Sequence, residues 1–167
     1  GGRDAGRVDH RVRDAAITAE AAVHAERGLE RERRAALVID GGVEAGLREM
    51  VEKQTSKPLT FLLTHSDPDH TAACGEFEEI LVHPAEMARL AQKRKTQSRF
   101  IAVQEGDRLD FEPYHFEVVL IPGHTPGSIA LWEKEKRFLI SGDSVTNATT
   151  FMFGEGRNLR AYLYSLR

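Results

Sequence analysis

Cysteine is nearly absent: Cys74 is the only one in 167 residues. No intrachain disulfide can form, which agrees with a reducing, cytoplasmic setting. Cys74 itself reads as a small buried hydrophobe beside a polar turn. The N-terminus lacks the apolar core of a signal peptide, and no stretch approaches membrane-spanning length. A cytoplasmic protein with no membrane partner is the expectation. Basic clusters interleaved with aromatics are also missing, and the net charge is −3. Nucleic acid is therefore not expected as a partner, and Lys93-Arg94-Lys95 reads as the solvated end of a helix. Histidine does not recur after His124. With 41% hydrophobic and 29% charged residues, the chain is sized and composed for one globular domain.

What is present is concentrated at three places. Residues 62–73 read L-L-T-H-S-D-P-D-H-T-A-A, putting His65, Asp67, Asp69 and His70 directly after a short apolar run. That run, 59–63, is too short for an ordinary helix and suits a buried strand. Pro68 fixes its own φ and pushes Asp67 towards an extended backbone. Imidazole nitrogen and carboxylate oxygen are the donors that suit zinc, iron or manganese. Buried together they need a compensating charge, which a divalent cation supplies. Asp, Ser and Pro are also ordinary turn formers, so the turn alone decides little. His124, inside Gly123-His124-Thr125-Pro126-Gly127-Ser128, follows a second apolar strand. Asp143, inside Ser141-Gly142-Asp143-Ser144, follows a third. Three strand ends delivering metal-type donors are hard to explain as turns.

With Val38-Ile39-Asp40-Gly41-Gly42 upstream, these motifs stand in the order of the metallo-β-lactamase fold superfamily of metal-dependent hydrolases. The chain resembles that family over residues 35–144. The resemblance implies an α/β (α+β) fold, an αββα sandwich. It implies His65, His70 and His124 as metal ligands, and Asp69 as a ligand of a second metal that orients the nucleophilic water. It implies Asp143 as the carboxylate bridging two metals. Asp40 is implied to brace the histidine turn from behind the ligands. Asp67 is a departure: the family turn is H-x-H-x-D-H, and here it is H-x-D-x-D-H. As a ligand, Asp67 adds negative charge and hardens the site, favouring iron or manganese relative to zinc. As a structural residue, it only hydrogen-bonds its turn. The flavodiiron branch carries Glu at this position, but no flavodoxin-like region accompanies it here. A second departure is the missing histidine near the C-terminus that completes the family's second site.

Residues 1–34 mix arginines, acids and alanines, and read as an atypical segment. Val8, Val12, Ala15, Ala19 and Val23 are spaced for a modest amphipathic helix, and the two antiparallel strands usual there are not recognisable. Residues 35–167 form the domain proper, so the sandwich is expected to be incomplete at both ends. Strand–helix alternation is predicted first: strand 37–39, helix 43–54 with Val43, Leu47, Met50 and Val51 on one face, strand 59–63, strand 79–82 and a helix from Pro84 to about Lys95. Five short strands follow at 100–103, 109–111, 116–121, 128–133 and 137–140, antiparallel in style, then a helix at 158–166. His83 and His115 read as loop and surface residues, and nothing is assigned to His10 or His24.

The expected function is metal-dependent hydrolysis, with a metal-bound hydroxide attacking an ester, thioester, lactone or amide of a small-molecule substrate. Metal coordination brings the pKa of water from roughly 15.7 to about 7. Zinc, as one or two ions, is the expected cofactor, with iron or manganese as alternatives. The rival readings are an iron-dependent redox enzyme of the same fold and a non-catalytic binding module. An uncovered sheet edge would invite a homo-oligomer.

Overall fold

The computed structural model of the chain describes residues 19–25, 29–93 and 97–167. The first sheet has the order β1 (Ala19–Ala25), β2 (Leu29–Ile39), β3 (Leu59–Leu62), β4 (Glu79–Val82) and β5 (Arg99–Ala102). β1 runs antiparallel to β2, and the others pair in parallel. The second sheet is an antiparallel meander of β6 (Arg108–Phe111), β7 (Tyr114–Leu120), β8 (Ile129–Glu133) and β9 (Phe138–Ile140). α1 (Leu47–Glu52) and α2 (Pro84–Lys93) make the β2–β3 and β4–β5 crossovers. A 3₁₀ turn, Ala72–Glu76, joins β3 to β4, and α3 (Leu159–Ser165) follows β9.

The period of two along each strand decides the layers. Leu37, Ile39, Leu62 and Leu81 meet Leu109, Phe116, Val118 and Leu131 between the sheets. Their neighbours Val38, Phe61, Leu63, Ile80 and Val82 face the other way, onto Leu47 and Val51 of α1 and Leu90 of α2. Cys74 is buried in that second layer, where Phe61 and Phe77 stack with ring centroids 4.4 Å apart. A parallel sheet covered on both faces needs the near-continuous apolar runs seen in the sequence.

Two expectations are corrected here. The first concerns the N-terminal region. Ala19 and Val23, assigned to a helix from their spacing, lie in β1, and β2 begins at Leu29. The antiparallel pair is therefore present, and the division at residue 34 falls inside β2. Residues 1–18, with Val8, Val12 and Ala15, lie outside the described residues. The pairing that makes these strands is with partner strands: β1 and β2 form a hairpin that registers Ala19 with Leu37 and Ala25 with Leu29, and β2 registers Ile39 with Leu62 of the more distant β3. Partner strands can override weak local periodicity in this way. The second concerns α1, which starts only at Leu47. Gly46 is left-handed with φ +99°, which cannot continue a helix, so Val43 lies outside α1 and is exposed; within α1, Leu47 and Val51 are buried and Met50 is exposed. The remaining strands and helices lie within a residue or two of their expected bounds, and of the basic cluster, Lys93 ends α2 while Arg94 and Lys95 lie outside the described residues. Among the described residues, no helix is long and apolar enough to cross a membrane.

Candidate metal centre

Asp40 follows β2, His65 follows β3, His124 follows β7 and Asp143 follows β9. β2 and β3 are parallel, while β7 and β9 both run antiparallel to β8. Each pair therefore ends at one edge of its sheet. The two edges are joined where Ile129 N donates to the Thr64 carbonyl at 3.0 Å. The carboxyl ends of strands are where open α/β sheets place their ligands. The histidine turn is closed by His70 N donating to Asp67 O at 3.0 Å, and laced to the Asp40 turn by Ala72 N donating to Gly42 O at 3.1 Å.

The donor atoms converge in two overlapping groups. His65, Asp67 and His124 form one, and His65, His70 and Asp143 the other, each with its ligand atoms within 4.8 Å of one another. Asp67 Oδ2 lies 3.7 Å from His65 Nε2 and 3.2 Å from His124 Nε2. Asp143 Oδ1 lies 3.1 Å from His70 Nε2, and its Oδ2 lies 3.5 Å from His124 Nε2. Asp69 stands outside both groups, with its carboxylate 56% exposed and 3.9 Å from His70 Nε2.

Whether a cation suits this pocket can be judged from its unpartnered atoms. His65 Nε2 and His124 Nε2 are buried without a hydrogen-bond partner. Bare buried polar atoms are costly, and two imidazole nitrogens aimed at carboxylates are a donor set for a divalent ion. Their far nitrogens are already engaged. His124 Nδ1 donates to the Phe151 carbonyl at 2.9 Å. His70 Nδ1 donates to Asp40 Oδ2 at 2.9 Å. Thr64 Oγ1 donates to that same oxygen at 2.8 Å and accepts from His65 Nδ1 at 3.0 Å. Each imidazole is thereby held with its Nε2 lone pair turned inward, the usual second contact of a metal-ligating histidine.

Asp40 thus orients two histidines, one directly and one through Thr64, from a left-handed backbone with φ 60°. Asp and Asn are the residues other than glycine that tolerate this conformation best. Asp40→Asn therefore keeps the turn and changes only the charge and one acceptor. It is expected to weaken zinc binding about 10–100-fold and, because its amide must face a buried donor of Thr64 or His70, to lower stability by about 1–3 kcal/mol, measured by calorimetric titration and melting.

Charge organises the rest of the pocket. Without an ion, burial works against a charged His70, but hydrogen bonds to Asp143 and Asp40 push its pKa up to about 10. The Asp143 carboxyl is held below its ordinary range by the same His70 contact, against the effect of burial. Asp67 is buried, which alone would raise its pKa. The neighbouring His124 and His65 imidazoles and the Arg157 hydrogen bond instead hold it far below the usual carboxylate range. Burial lowers the pKa of His83, whose Nδ1 accepts from Ala85 N at 3.2 Å in a loop role. His115 is half exposed and pairs with Asp110.

Several residues that hold the site carry no motif. Arg89 Nη1 lies 2.8 Å from Asp67 Oδ1, and Arg157 donates to Asp67 Oδ2 and to the His124 carbonyl. Glu86, fully buried at the start of α2, accepts from Ser66 N at 3.1 Å, from Ser66 Oγ, and from Gly127 N at 2.7 Å. It ties the histidine turn to the His124 loop. A Cβ at Gly127 would stand 2.8 Å from Glu86 Cγ, so the approach needs glycine. Tyr162 of α3 donates to the Ser144 carbonyl at 2.9 Å, next to Asp143. In the sequence, Glu86 is an ordinary acidic residue in the first turn of a helix and Arg157 one of many arginines; only Thr64, adjoining His65, was within reach of the motif.

The metallo-beta-lactamase superfamily model matches residues 29–167. A hydroxyacylglutathione hydrolase of Bdellovibrio bacteriovorus is 29% identical over 111 residues, covering 66% of this chain and 43% of that protein. An acyl-coenzyme A thioesterase of Gallus gallus, MBLAC2, is 28% identical over 177 residues, covering 83% of this chain and 62% of that protein. The chain thus spans about half the length of these curated relatives. Among solved structures, the di-iron-bound form of TTHA1623 aligns with a TM-score of 0.63 at 24% identity, over 90% of this chain and 83% of that one. With the αββα layering, the donors at three strand ends and the match over residues 29–167, this chain belongs to the metallo-β-lactamase superfamily.

Proposed function

We propose that the chain carries the metal centre of a hydrolase acting on thioesters of a small thiol carrier. The observation that carries this reading is the pair of buried, unpartnered nitrogens, His65 Nε2 and His124 Nε2, facing Asp67 and Asp143. His65, with residues drawn from His70, His124, Asp67 and Asp143, would hold the ion. A bound divalent ion lowers the pKa of water to about 7 and polarises a carbonyl. The protein's own part is orientation and proton handling. Asp40, Thr64 and the Phe151 carbonyl hold the imidazoles ready, so little reorganisation remains at the moment of reaction. Asp69, at the exposed rim beside His70, can accept a proton from an entering water. Preference for a thioester rests on the two relatives named above, whose names denote hydrolysis of an acyl group carried on glutathione or coenzyme A.

Elemental analysis of the purified chain, with thiol release from S-acylglutathione and acyl-coenzyme A panels, tests the reading. Bound zinc, iron or manganese and chelator-sensitive thiol release are expected. A metal-loaded protein that cleaves oxygen esters or amides but no thioester would overturn the substrate class. A protein that binds no divalent metal would overturn the reading as a whole.

A further inference from the structure

The two donor groups share His65, and His65 has one lone pair to give. Its Nδ1 proton is committed to Thr64 Oγ1, whose own proton goes to Asp40. Nε2 alone remains, buried and without a partner. One lone pair serves one ion, so the two groups compete, and the surrounding charge decides between them.

The charges differ in sign. The His65–Asp67–His124 group has one carboxylate of its own, with Asp143 Oδ2 3.5 Å from His124 Nε2, and two guanidinium groups lie on Asp67. Arg89 is against Asp67 Oδ1, and Arg157 is against Oδ2, the oxygen that faces both imidazoles. The Arg157 side chain is 7% exposed and also held by the His124 carbonyl, so it is built into the site. Around His65, His70 and Asp143, the nearby acids are Asp143, Asp40 and Asp69, and their ion pairs are all with histidines. A divalent cation is drawn to the second group and repelled from the first.

Resting on the metal-centre reading, we infer that Arg157 is the resident cation of the His65–Asp67–His124 group, and that the chain holds a single metal ion in the His65–His70–Asp143 group. The replacement of a histidine by Asp67 then has a physical partner. A neutral imidazole would leave Arg157 without a counter-charge, whereas a carboxylate anchors it. Arg157 fills with one positive charge the place that would otherwise compete for the ion.

Titration with zinc chloride by calorimetry, with elemental analysis after gel filtration, tests this without reference to turnover. Wild type is expected to hold one equivalent. His70→Gln is expected to lose it, and His124→Gln to retain it. Arg157→Gln, which keeps a donor and removes the charge, is expected to stay at one equivalent but to open the His65–Asp67–His124 group to it, so that His70→Gln/Arg157→Gln regains the zinc that His70→Gln loses. Arg157→Lys is expected to stay at one. Two equivalents of similar affinity in wild type, or retention by His70→Gln with loss by His124→Gln, would overturn the inference. So would a His70→Gln/Arg157→Gln protein, folded by circular dichroism, that binds no zinc. Should that double variant not fold, the wild-type stoichiometry and the two histidine variants still decide. Absence of zinc from every form overturns the metal-centre reading, and this inference with it.

Discussion

His65→Ala is expected to lower zinc affinity by at least about 100-fold and to leave no specific site, the largest binding effect of any single substitution in this chain. Losing an outer contact of a metal ligand typically costs 10–100-fold, and a ligand costs at least as much. His65 is the one residue common to both donor groups, so its removal leaves His70 with Asp143, or Asp67 with His124, and neither pair closes a tetrahedral site. His65 is also buried at the end of β3. The variant should therefore be compared with His65→Gln, which preserves volume, using calorimetric titration and elemental analysis. A folded His65→Ala protein that retains stoichiometric zinc would show that the ion lies elsewhere.

Glu86→Ala is expected to be the most destabilising of the substitutions that touch no donor atom. It leaves Ser66 N, Ser66 Oγ and Gly127 N without their acceptor in a fully buried place. An unsatisfied buried donor costs about 1–3 kcal/mol, so a loss of about 3 kcal/mol or more is expected in urea denaturation. Ser66 lies between His65 and Asp67, and Gly127 lies three residues beyond His124. Releasing both loops should also weaken zinc binding, by about tenfold or more. Glu86→Gln retains one acceptor oxygen and the shape, and should recover part of both losses. If stability falls while zinc affinity is untouched, Glu86 braces the fold and not the centre.

The donors were legible because their chemistry is local. His65, Asp67 and His70 fall within one turn, and glycines bracket His124 and precede Asp143, each directly after an apolar run. Parallel pairing of β2, β3 and β4 then follows from the strand–helix alternation, and it brings strand ends to one edge. The N-terminal strands were not legible. β2 carries Glu30-Arg31-Glu32-Arg33-Arg34 before its apolar end, and no period of two announces it. Its partners, β1 and β3, supply the hydrogen bonds that make it a strand.

The residues that orient the donors were equally hidden, because the contacts that define them span long stretches of chain. Glu86 meets Gly127 across 41 positions and Arg157 meets Asp67 across 90. The sequence by itself determined the types of the candidate ligands, their order and the strand ends that carry them, since residue chemistry and hydrophobic periodicity are properties of neighbours along the chain. Only the tertiary structure decided that His65 belongs to two donor groups, that Asp67 faces two arginines, and that Glu86 ties the ligand loops together. Charge and hydrogen bonding act through space, and the packing of two sheets chooses which distant side chains come within their reach.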